Sequence, residues 1–186
     1  MAKDVIIFTD GDDTAYHALS VACKELDLHP LRASRGNPTP LTGDRLIRAV
    51  VDAPRDPVVV MVDDRGDKDK GIGERALEDL VTSPELHVLG VIAVASNTHP
   101  VKGVMVDGSI TNASSLVSTA VDKAGDPTQN SVLHGDTVDV LNREKFPIVG
   151  LGDPGKMQGK DSIERGVPIT KEALEEILRR SGYHGR

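Results

Sequence analysis

Apolar runs alternate with helical spacings through the first half of the chain. Val5–Phe8 is a short apolar run that ends at Thr9 and breaks into Asp10-Gly11-Asp12-Asp13. Beyond it, Ala15, Ala18, Leu19, Ala22 and Cys23 recur at the three-and-four spacing of one helix face. His29–Ser34 reads as a short second strand, followed by the turn cluster Arg35–Pro40. Thr42 is placed to N-cap a helix carrying Leu46, Ile47, Val50 and Val51 on one side, and Pro54 stops it. Val58–Val62 is a second apolar run that ends in carboxylates, Asp63-Asp64-Arg65-Gly66-Asp67. A helix from about Glu74 buries Ala76, Leu77, Leu80 and Val81 and ends before Pro84. Val88–Ala95 is almost continuously apolar, as a strand buried on both faces should be. Strands separated by amphipathic helices predict right-handed βαβ crossovers. The expected fold is α/β, an open, mainly parallel sheet with helices on both faces.

The second half is less regular. Val101–Ile110 reads as a strand, and 111–135 as a polar loop with a short helix. Phe146–Leu151 is a last buried strand. Thr170 is the expected cap of a final helix that turns Leu174, Ile177 and Leu178 inward and stops at Gly182. No linker interrupts the pattern, so 1–186 is expected to form one α/β domain, with regular βαβ units in 1–96 and a less regular part in 97–186.

Composition narrows the function. Only four residues are Phe or Tyr and none is Trp, so the core must be aliphatic. A formal net charge of −7 argues against nucleic-acid binding, which needs a basic surface, and against direct docking on anionic lipid. The one cysteine, Cys23, excludes an internal disulfide and suits a small core position in a reducing compartment. The chain opens directly into a strand, so no signal peptide is expected. Val88–Ala95 falls far short of the ~18 apolar residues of a membrane span. Any membrane association is therefore expected to run through a partner.

The two acidic strand ends are the main chemical feature. In an open parallel sheet, ligands bind beyond the carboxyl ends of the strands, where the strand order reverses. If the two strands are neighbours, their carboxylates share one crevice and need a cation or hydrogen-bond donors to offset the charge. Asp10, Asp12, Asp63, Asp64 and Asp67 are the candidate ligands, and a hard cation, Ca2+ or Mg2+, is the expected occupant. A plainer possibility stands beside this one: Asp12 and Asp13 cap the first helix, and Asp67 and Asp69 are solvated. Asp63-x-x-x-Asp67 facing a first-strand carboxylate, with Gly66 between, is locally similar to metal sites of Toprim-type phosphotransfer domains. Gly150–Met157 nearly matches a phosphate loop, but Met157 lacks the metal-binding hydroxyl, Pro154 removes a donor, and no helix start follows. A tight turn that brings Lys156 towards the acidic crevice is the better reading. The six histidines show no metal-ligand spacing, and no activated Ser or Cys nucleophile is evident.

Several segments, taken in order, resemble a known family. They are Phe8–Asp12, Ser34–Thr39, Asp56–Asp64, Gly71–Glu74, Leu89–Ser96, Val121–Gly125, Gly135–Val138, Ile148–Met157, Pro168–Thr170 and Ile177–Tyr183. Together they are similar to the soluble stage V sporulation protein AE of endospore-forming bacteria, over nearly the whole length. The resemblance implies a non-enzymatic accessory subunit of the spore inner-membrane machinery that moves dipicolinic acid, with calcium, in sporulation and germination. Its implied partners are the AD protein and the membrane-spanning subunits, and its implied place is the forespore, peripheral to the inner spore membrane. Asn37, Glu74, Asp153 and Lys156, which lie in or beside these segments, are the candidate ligand- or partner-binding residues. The rival is a Mg2+-dependent, Toprim-like phosphoryl-transfer enzyme using Asp10, Asp63 and Asp67.

Overall fold

A computed structural model describes residues 1–65, 70–97, 102–141 and 146–185. Among these, β1 (Lys3–Phe8), β2 (His29–Pro30), β3 (Val58–Met61), β4 (Leu86–Val94), β9 (Ile148–Leu151), β6 (Gly108–Ile110) and β7 (Leu116–Val117) form one seven-stranded sheet. The order is β2-β3-β1-β4-β9-β6-β7. Every pairing in it is parallel except β6 with β7. A separate antiparallel pair joins β5 (Val104–Met105) to β8 (Val132–Leu133). The helices are α1 (Asp13–Glu25), α2 (Gly43–Val51), α3 (Ile72–Thr82) and α4 (Pro168–Ser181).

The central strands are apolar throughout because both faces are covered. Val5 and Ile7 of β1, with Val58 and Val60 of β3, pack under Leu46, Ile47, Leu77 and Leu80 of α2 and α3. Ile6 and Phe8, with Val59, Met61 and Ile92, pack under Ala18, Leu19, Leu174 and Ile177 of α1 and α4. Successive residues of one strand thus feed opposite cores, which is the period of two in a doubly covered sheet. Cys23 is fully buried in the second core. The open, mainly parallel α/β sheet with helices on both faces is the expected fold.

Several local expectations need correction. The second strand is only His29–Pro30, and Arg32–Ser34 turns into a 3-10 helix. Thr42 occupies the N-cap of α2, but its side chain makes no capping bond, and Val51 is exposed rather than inward. No helix forms in 111–135, where short strands β7 and β8 stand instead. The strand expected over Val101–Ile110 splits into β5 and β6 around Asp107, whose backbone N–H reaches Ile148 O at 2.8 Å. Thr170 does not cap α4: the helix begins at Pro168 behind Val167. Its N-terminus is capped from upstream by Asp161, which is fully buried and accepts from Ile169 N at 2.8 Å, Thr170 N at 3.0 Å and Thr170 Oγ1 at 2.5 Å. A carboxylate beyond the helix start satisfies orphan N–H groups as well as a local cap does.

Candidate functional site

β1 lies between β3 and β4, so the chain, after building β2 and β3 on one side of it, crosses to the other side to build β4 and β9. Beyond the carboxyl ends of β1, β3, β4 and β9 lies a pocket of about 120 Å³. Thr9, Asp10, Asp12, Asp63, Ser96, Asp136, Asp153 and Lys156 line it, with Asn37 and Lys123 from flanking loops. It opens towards a wider groove of about 400 Å³ that shares Lys123, Asp153 and Lys156 and adds Asn97, Asp122 and Met157.

The acidic turn after β1 is held tightly. Gly11 N donates to Asp10 Oδ1 at 2.7 Å and to Asp63 Oδ2 at 3.0 Å, so one N–H joins the two strand ends. Asp12 N lies 3.3 Å from Asp10 Oδ1, and Arg65 N donates to Asp63 Oδ1 at 2.9 Å. Only glycine fits at position 11, because a Cβ there would lie 2.0 Å from Gly36 O. Asp12 caps α1 through Oδ1, which accepts from Ala15 N at 2.7 Å, while Oδ2 lies 3.5 Å from Lys156 Nζ. Lys156 Nζ also lies 3.4 Å from Asp153 Oδ2.

Three carboxylates, those of Asp10, Asp12 and Asp153, each present an oxygen within 4.8 Å of the other two. A hard cation with oxygen ligands at ~2.3–2.6 Å spans such a triangle. The electrostatics suit one. Burial, then the charge of Asp12, pushes the Asp10 carboxyl up to about 7. Burial pushes Asp63 up to about 6 against the pull of the Arg65 and Gly11 N–H groups. Burial also opposes the charge on Lys156, but Asp153 and Asp12 outweigh it and hold the ammonium above the usual lysine range.

The expected residues divide. Asp10, Asp12, Asp63, Asn37, Asp153 and Lys156 line the one pocket. Asp64 is committed elsewhere: Oδ1 accepts from Gly73 N at 2.6 Å and Oδ2 from Glu74 N at 3.0 Å, which caps α3. Burial still raises its carboxyl despite those bonds. Glu74 sits in the first turn of α3, outside the pocket, and burial with the Asp64 charge raises it as well. Asp67 and Asp69 lie outside the described residues, as does His99. Asp13 pairs with Arg35 at 3.4 Å.

Sequence reasoning missed Thr9, Ser96, Lys123 and Asp136. Thr9 and Ser96 could have been found, since each is the polar residue that ends an apolar run just as Asp63 does. Lys123 and Asp136 come from irregular loops with no such signal. The turn after β9 is not a phosphate cradle, because no helix directly follows Lys156 and the N–H of Gly155 is spent on Asp161 Oδ2 at 2.8 Å.

A family model described as Stage V sporulation protein AE1 matches residues 4–181. No curated protein and no solved structure matches the chain.

Proposed function

The chain belongs to the stage V sporulation protein AE1 family, and we propose that it serves sporulation as an accessory subunit of the machinery that moves dipicolinic acid, with calcium, across the inner spore membrane. The family match over nearly the whole chain carries this reading. No described helix is long and apolar enough to cross a membrane, which suits a peripheral subunit held by protein partners. The partners in this reading are the AD protein and the membrane-spanning subunits, and the place is the forespore face of that membrane. The pocket at the sheet's carboxyl edge is its ligand site, with Asp10, Asp12 and Asp153 holding a divalent cation and Lys156 leaving them as the cation enters.

Spores test it. Replacing Asp12 and Asp153 together by Asn keeps size and hydrogen bonding while removing charge. Spores with that variant at normal protein levels should release dipicolinate severalfold more slowly during germination. Normal release in the variant would reject the pocket, and normal loading and release in spores lacking the whole protein would reject the role.

A further inference from the structure

The segment Gly135–Val138 crosses the carboxyl edge of the sheet as a strap held at both ends. At its start, Ser96 N donates to His134 O at 3.0 Å, and a Cβ on Gly135 would lie 2.2 Å from Val94 O. At its end, Val138 is fully buried in the core that α2 and α3 cover. Between these fixed points, Asp136 and Thr137 are the central residues of a turn. Asp136 lines the pocket, and its Oδ1 accepts from Ser96 Oγ at 3.2 Å. Thr137 stands beside Asp64, the carboxylate that caps α3. Thr137 is poorly accommodated there. Its φ is 67°, and a positive φ at the second central position is the type II arrangement, which favours Gly or Asn. A β-branched residue is an outlier in that conformation. Its Oγ1 is buried without a hydrogen bond, and its N–H donates to no acceptor among the described residues. Burial raises the Asp64 carboxyl, while the N–H groups of Gly73 and Glu74 and then the Thr137 hydroxyl lower it. That hydroxyl therefore lies near the carboxylate but outside hydrogen-bonding geometry. Backbone strain and an unmet buried hydroxyl both weaken the present conformation of this one residue.

We propose that the Asp136–Thr137 peptide is a two-state switch that couples the pocket wall to the start of α3. The form seen here is type II. Rotating this one peptide about the line between its two Cα atoms converts the turn to type I, in which Thr137 has a negative φ and a β-branched residue is accepted. The fixed points at Gly135 and Val138 stay where they are. The rotation reverses the Asp136 carbonyl and the Thr137 N–H, and it re-aims the Thr137 side chain against Asp64. Asp64 holds Gly73 N and Glu74 N, so a change there reaches the first turn of α3. Asp136 stands in the pocket, so the same change reaches the pocket wall. Anything that contacts Asp136 differently in the two forms biases α3, and anything that shifts the start of α3 biases the pocket to the same extent. The switch is a property of the strap and does not require the pocket to hold a cation.

The test is relaxation-dispersion NMR on the full chain, which reads exchange on the microsecond-to-millisecond timescale. The amides of Asp136, Thr137, Val138, Gly73 and Glu74 should share one exchange rate. Thr137→Gly should lower the exchanging population roughly tenfold at all five, because glycine accepts the left-handed form without steric cost. Thr137→Val, which keeps the β-branch and loses the hydroxyl, should keep exchange at all five. Dispersion on the wild-type chain decides the matter even if a variant fails to fold. The switch is overturned by absence of exchange at the turn, by exchange at the turn with none at Gly73 and Glu74, or by exchange that Thr137→Gly leaves untouched.

Discussion

Asp10 is where burial and charge meet most sharply. Its carboxyl titrates at about 7 in the fold against 3.8 in an open chain, because burial and then Asp12 disfavour the anion. Asp63 follows, at about 6. Between the unfolded and folded values the native state therefore binds more protons than the unfolded chain, and stability falls as pH rises. The penalty is absent below 3.8, grows through the window and is complete above about 7. Cation-free protein should thus lose stability between pH 5 and pH 8 in urea titrations. Asp10→Asn should flatten that slope and gain on the order of 1 kcal/mol at pH 8, since a tenfold change in proton affinity corresponds to about 1.4 kcal/mol before solvent screening reduces it. An unchanged slope in the variant would mean that Asp10 is an ordinary carboxylate.

At the level of elements, the turn between β9 and α4 depends on Asp161. This residue joins Gly155 N, in the turn that carries Asp153 and Lys156, to the first N–H groups of α4. Met157, Gln158 and Val167 hold left-handed backbone around it, at φ of 47°, 57° and 47°. Such conformations persist only where surrounding bonds enforce them. Asp161→Ala should cost about 3 kcal/mol in denaturant unfolding, because it strands several buried donors at once. It should also weaken cation binding at the pocket, although Asp161 touches no ligand there. A variant with wild-type cation affinity would show that the turn holds its shape without this anchor. The anchor was hidden in the sequence. Thr170 precedes the apolar face of α4 as a cap should, and nothing local shows that a carboxylate nine residues earlier performs the task. By contrast β1, α1, α3 and β4 were legible, because apolar period and stop signals agreed over whole elements. The strands of 104–133 were not, since two- and three-residue pairings carry no period.

For the molecule as a whole, sequence reasoning placed the acidic strand ends of β1 and β3 side by side, and the register Val5–Val58 to Phe8–Met61 bears that out. It could not separate Asp64 from the pocket, because adjacent residues leaving a strand diverge and Asp64 meets the start of α3. The pocket also draws Asp153 from the turn after β9, far along the chain, so a ligand there ties both halves of the sequence together. Ca2+ or Mg2+ at a hundred times its dissociation constant should therefore raise the unfolding free energy by about 2.7 kcal/mol, in a single transition. Stabilisation of one part of the chain alone, seen as two transitions in calorimetry, would contradict a shared site.

The sheet also ends in a particular way. Its outer strands, β2 and β7, are two residues each, and one residue of β2 is Pro30, which has no N–H to offer. A second chain seeking to extend the sheet would find almost no backbone to pair with. The protein should consequently stay monodisperse when concentrated, and light scattering should show any assembly arising from side-chain surfaces rather than from continued β-structure.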